Sequence, residues 1–200
     1  MRVALTFDAE HPDRSKCPPG TQERMLDVLE EAGLRVTFFL QGRWVSAYPA
    51  TARRIAESGH LVGNHSDYHA RLPLFTDEGV RADVRGAERT ILDVVGVDPR
   101  PWFRCPFGEG HDDARIQAVL GELGYRNVHW DADGEDWGDD RASGDVEEAI
   151  VEGATGTGDG AIVLLHTWPG PTLEALPRIL ARLRDAGASF VTVAEVVDGG

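Results

Sequence analysis

Short β-branched and aromatic runs alternate with amphipathic stretches along the whole chain, and that alternation constrains the fold more than any other feature. Val3–Phe7, Val36–Leu40, the run GHLVGN that ends at Asn64, Tyr125–Trp130, Ala161–Leu165 and Ser189–Val193 read as strands. Between them lie helical patterns. Thr21 is placed to cap a helix whose apolar stripe is Met25, Leu26, Val28, Leu29 and Ala32. Further helices are expected over Pro49–Ser58, from Thr76 to about Val95, from Asp112 or Asp113, over Asp145–Val151, and over Leu173–Ala186. About seven such units specify a parallel sheet covered by helices. A closed or distorted barrel competes with a doubly wound sheet for that pattern. Two hundred residues, read as one domain over 1–200, bury a core without help from disulfides or metal.

Charge narrows the function classes. Lys and Arg number 20 against 34 Asp and Glu, a formal net charge of −14. Neutralising phosphates needs a basic surface, so the charge balance argues against nucleic acid, anionic lipid and polyanionic polymers as partners. A neutral or cationic substrate is one reading of the acidity, and its only serving solubility is an equal alternative. Cys17 and Cys105 are too few for a disulfide framework and read as free thiols, with one bridge between them as the alternative. No apolar run reaches the roughly 18 residues of a membrane span. The opening MRVALTFD has no leader-like pattern, so the expected location is the cytoplasm, or outside the cell if a leader has been trimmed away.

Chemistry-bearing residues gather where strands end. His65 and His69, in NHSDYH, stand four apart; on a helical turn that spacing stacks two imidazoles on one face, half of a divalent-metal site. Asp8 and Glu10 follow the first strand, and Arg104, Asp136 and His166 follow later ones. In a barrel those ends share one face. The set contains what metal-assisted amide or ester hydrolysis requires: ligands, a carboxylate base and a histidine acid. Each also has a bland reading, with Asp8 capping a turn, Arg104 pairing at the surface and the loop DADGEDWGDD simply solvated.

These motifs resemble the polysaccharide deacetylases of carbohydrate esterase family 4, the NodB-homology domain. The resemblance runs through LTFD, VTFFLQG, GHLVGNHSDYH, FRCPFG, DADGEDW, LLHTW and GASFVTVAEV, nearly the whole chain. It implies a distorted (β/α) barrel with an open groove, and one divalent metal, usually zinc and sometimes cobalt or nickel. Asp8 would be the catalytic base, Arg104 its salt-bridge partner, His166 the acid and Asp136 the carboxylate that tunes it. His65 and His69 would hold the metal. Phe107 would contribute a backbone N–H to the oxyanion, and Trp137 and Leu164 would wall the acetyl pocket.

One position departs from the pattern. The family's first motif usually reads Thr-Phe-Asp-Asp-Gly, with its second aspartate on the metal, and Ala9 stands there. Glu10 is the substitute ligand expected, and an aspartate restored at position 9 should be tolerated. Three functions follow: a deacetylase of N-acetylated amino sugars, an amidohydrolase or O-acetyl esterase of a small metabolite, or a non-catalytic carbohydrate-binding relative. The oligomeric state stays open.

Overall fold

The structure is a computed structural model that describes residues 1–11 and 17–199. Its elements in chain order are β1 (Arg2–Ala9), α1 (Thr21–Glu31), β2 (Thr37–Leu40), α2 (Gly42–Ala47), α3 (Pro49–Glu57), β3 (Leu61–Asn64), α4 (Asp77–Val95) and β4 (Trp102–Phe103). There follow α5 (Ala114–Glu122), β5 (Arg126–Asn127), β6 (Ala132–Asp133), α6 (Ser143–Thr157), β7 (Ala161–His166), α7 (Gly170–Asp185), β8 (Ser189–Val191) and α8 (Val193–Val197). The strands form one parallel sheet in the order β5-β4-β3-β2-β1-β7-β6, with β8 added beside β1. β1 therefore has three neighbours: β7 along one side, and on the other β8 at Arg2–Ala4 and β2 at Thr6–Ala9.

The sheet curls into an open barrel. Its outer strands, β5 and β6, are consecutive in the chain and are not paired with each other. Residues 128–131 cross the gap, with Val128 N–H bonded to the Phe103 carbonyl at 2.7 Å and Asp131 N–H to that of Ile162 at 2.8 Å. The expected single strand over Tyr125–Trp130 is thus two short strands separated by this crossing. The backbone changes ladders there, a switch that a run of apolar residues does not encode.

Alternation along β1 sorts its side chains. Val3, Leu5, Phe7 and Ala9 face outward into the main core with Met25 and Leu29 of α1, Trp44 of α2, Ile150 of α6, and Leu176 and Ile179 of α7. Ala4 faces inward with Phe39, Trp102, Val128 and Val193. A separate cluster joins Val80 and Val84 of α4 to Phe103, Ile116, Leu120 and Tyr125.

Several boundaries differ from the sequence reading. Gly20, in the left-handed region at φ 78°, precedes α1, while the Thr21 hydroxyl donates to the Pro18 carbonyl at 2.7 Å instead of capping the helix. Thr76 does cap α4, accepting from Gly79 N–H, and Asp113 caps α5. α2 and α8 have no counterpart in the sequence reading, and α6 extends well beyond Asp145–Val151. Cys17 and Cys105 are both free.

Candidate active site

The C-terminal ends of β1, β3 and β7 open onto a cleft of about 470 Å³. Strand parity brings Asp8 and Glu10 to it, on the same inward side as Thr6, while Ala9 is fully buried on the outward side. An aspartate at position 9 would place its carboxylate in the helix-facing core. The geometry thus predicts a cost at position 9, against the expectation of tolerance, because Glu10 already occupies the inward position.

Glu10 Oε2 lies 3.3 Å from His65 Nε2 and is also bonded to His69 Nε2. The nearest ligand atoms of Glu10, His65 and His69 all fall within 4.8 Å of one another. His65 Nδ1 faces the Arg104 carbonyl at 2.9 Å, and since a carbonyl only accepts, that nitrogen donates while Nε2 faces the cluster. One carboxylate and two imidazoles with room beside them suit a divalent cation, and the residues fit such a group. Burial pushes the Glu10 pKa up, but hydrogen bonds from His11, His65 and His69 outweigh it and hold the carboxyl well below its usual range.

The histidines do not stand on a helix, contrary to the stacking argument. They lie in a loop after β3, with Ser66 at φ 63° and His69 at φ 54°. Convergence comes from that left-handed path and not from helical period.

Arg104 is fully buried beneath Asp8. Its Nη1 donates to Asp8 Oδ1 at 2.9 Å and to Thr6 Oγ1 at 2.7 Å, and its Nε donates to the Val128 carbonyl at 3.1 Å. The guanidinium lies 4.2 Å from the centre of the Phe39 ring. The other Asp8 oxygen is 3.4 Å from His65 Nε2.

His166 ends β7, and the register pairs it with Asp8. Asp136 grips it twice: Oδ1 lies 2.6 Å from Nδ1, and Oδ2 accepts the His166 backbone N–H at 2.8 Å and the Thr172 hydroxyl at 2.5 Å. His166 Nε2 faces Glu10 Oε1 at 3.8 Å. Burial alone would lower the His166 pKa; the charge and hydrogen bond of Asp136, with Glu10 and Asp8 adding to them, raise it to about 10.

Phe107, Trp137 and Leu164 all line the cleft. Phe107 sits in a short 3-10 turn at φ 58° and is half exposed, as is Trp137, whereas Leu164 is buried. All ten residues singled out from the sequence thus surround one cavity or bond to a residue that does. His11, Arg71, Glu109, Trp130 and Asp133 line it as well, and sequence reasoning missed them. His11 Nε2 lies 3.0 Å from Glu10 Oε1, and its N–H donates to Gln41 Oε1 at 2.9 Å. Its φ of 54° takes it off the strand alternation, so no periodicity announces it. Arg71 stacks over the Phe107 ring and pairs with Glu109, both on loops where spacing carries no information.

An open parallel barrel with carboxylates and imidazoles gathered at its strand ends is the architecture of a barrel-type hydrolytic centre. The chain belongs to the polysaccharide deacetylase family, whose model matches residues 1–128. The peptidoglycan-N-acetylglucosamine deacetylase PgdA of Listeria monocytogenes is 34% identical over 195 residues, covering 98% of this chain and 38% of that protein. The chain therefore spans well under half the length of that relative. Among solved structures, the T48 deacetylase with substrate aligns at a TM-score of 0.83 and 31% identity, over 99% of this chain and 91% of that one. A family 4 carbohydrate esterase pseudoenzyme from Bacillus anthracis aligns at 0.86 and 25% identity, over 98% of this chain and 64% of that one. Fold alone thus does not distinguish a working site from a silent one, and the side chains have to decide.

Proposed function

We propose that this chain hydrolyses the acetamide of an N-acetylated amino sugar, in a polysaccharide such as peptidoglycan, an oligosaccharide or a small glycoside. The observation that carries the reading is that Asp8 and His166 both reach the Glu10, His65 and His69 cluster while each is held by its own buried partner. A decayed site has no reason to keep both the Arg104–Asp8 and the Asp136–His166 pairs buried, because an ion pair out of water is a weak source of stability.

Glu10, His65 and His69 hold the cation, Zn2+ first and Co2+ or Ni2+ as alternatives. When bound, it supplies Lewis acidity, lowering the pKa of water and polarising the acetyl carbonyl. Asp8 takes the proton of the attacking water, and Arg104, bonded to its other side, holds the carboxylate in place for that task. The Phe107 N–H donates to the oxygen that gains charge. His166 Nε2–H protonates the departing amine, and Asp136 keeps that proton available. Trp137 and Leu164 exclude water around the acetyl methyl.

Amine and acetate release from N-acetylglucosamine oligomers tests this reading. Turnover by the wild type, with a loss of about 10²- to 10⁴-fold in His166→Ala, is expected. Inertness toward every acetylated sugar, with turnover of small amides or acetate esters, would transfer the function to those substrates.

A further inference from the structure

A loop with two left-handed non-glycine residues does not hold itself; L side chains adopt that backbone only where the surroundings over-determine it. Part of the support is local, since Ser66 N–H donates to Asn64 Oδ1 at 2.9 Å and His69 N–H to Ser66 Oγ at 2.9 Å. On one side α2 contributes, with Gly42 N–H bonded to the Ser66 carbonyl at 3.0 Å and Arg43 N–H to that of Asp67 at 3.3 Å. The approach is so close that a Cβ on Gly42 would stand 2.1 Å from Asp67 Oδ1. The two remaining donors of the loop, the N–H groups of Asp67 and Tyr68, face α4. There Asp83 receives both, Oδ2 at 3.2 Å and Oδ1 at 3.1 Å.

Asp83 is out of place by the logic of folding alone. It lies between Val80 and Ala87 on the core-facing stripe of α4 and is only 6% exposed. A carboxylate at a core-facing helix position is costly unless its oxygens are satisfied, and here both are satisfied by the histidine loop.

We propose that Asp83 is a positioning residue for the cation site. It touches neither substrate nor cation, and it acts by clamping the Asp67 and Tyr68 amides so that His65 Nε2 and His69 Nε2 reach Glu10 together. The proposal rests on reading Glu10, His65 and His69 as a divalent-cation site.

Metal-free wild type, Asp83→Asn, Asp83→Ala and Thr76→Ala are titrated with Zn2+ against a competing chelator, and each metal-free form is melted separately. Thr76→Ala weakens the same helix at its cap without touching the loop, so it reports what a merely structural loss does to affinity. Asp83→Ala should bind Zn2+ about 10- to 100-fold more weakly than wild type. Asp83→Asn, which keeps one acceptor oxygen for two donors, should fall between them, and Thr76→Ala should match wild type. If Asp83→Ala does not fold, Asp83→Asn decides. Wild-type affinity in an Asp83 variant that only melts lower overturns the positioning role alone. Failure of the wild type to take up Zn2+ overturns the site reading, and the proposal with it.

Discussion

At residues 8 to 10 a single step of strand alternation separates a cleft side chain from a core side chain. Asp8 and Glu10 face the cleft, and Ala9 faces α1 and α7 with no exposed surface. Ala9→Asp therefore leaves a buried, unpartnered carboxylate and should cost about 3–5 kcal/mol, read from urea denaturation of the two proteins. An unchanged midpoint would mean that position 9 can turn inward. The His166 pair gives a second outcome at this scale. With its pKa raised to about 10, His166 keeps its proton through neutral pH and loses it above that value. Asp136→Asn removes the main charge that raises it, so the alkaline limb of the kcat–pH profile should move down toward the ordinary histidine value of about 6.5. A limb that does not move would separate Asp136 from the acid. His11 belongs here too: His11→Ala frees Glu10 Oε1 from its 3.0 Å contact and should weaken Zn2+ binding in a chelator competition, while leaving the melting of the metal-free protein within a few degrees.

Among the elements, the ones that carry the site are held at their ends. α4 begins at the Thr76 cap, with Asp77 and Glu78 in its first turn where the helix dipole favours them. Thr76→Ala should cost about 1 kcal/mol by thermal denaturation with turnover unchanged, since the cap lies away from the cleft. A drop in kcat would show that the helix start is coupled to the histidine loop. β1 is the other carrier. Its pairing with β2 and β7 sets Asp8 level with Phe39 and His166, which is how Asp8 and His166 come to face one cluster. Thr6, one step earlier on the same face, accepts from Arg104 and donates its hydroxyl hydrogen bond to the Val163 carbonyl at 2.6 Å, tying that guanidinium to two strands at once.

Across the whole molecule, stability should depend on pH through a residue far from the cleft. His60 precedes β3, and its Nδ1 accepts the Val36 N–H at 3.2 Å, a bond that only the neutral ring makes. Burial, with Arg35 and Arg54 adding to it, lowers its pKa to about 4. Between that value and the unfolded value of about 6.5 the unfolded chain binds more protons than the folded one. Stability contributed by the neutral ring is thus complete above about pH 6.5, declines as pH falls through the window, and levels off below about 4. Urea denaturation at pH 7.0 and 4.5 should show the decline, and His60→Asn, which cannot titrate, should show less of it. Equal declines in both proteins would assign the acid sensitivity elsewhere.

Local periodicity determined a good deal. The strand–helix alternation, the caps at Thr76 and Asp113, and the two-residue step from Asp8 to Glu10 follow from side-chain period and capping chemistry, which are properties of neighbouring residues. The same locality limited what could be read. That β5 and β6 stay unpaired, that residues 128–131 cross between ladders, and that α2 clasps the histidine loop depend on partners tens of residues away. The histidine pair shows the division most plainly. Its spacing was visible and its helix was not there, because Ser66 and His69 take left-handed backbone that local sequence disfavours and that surrounding contacts with Asp83, Gly42 and Arg43 impose. Sequence determined which residues could meet; only tertiary contacts, by over-determining a strained loop and burying both ion pairs, decided that they do.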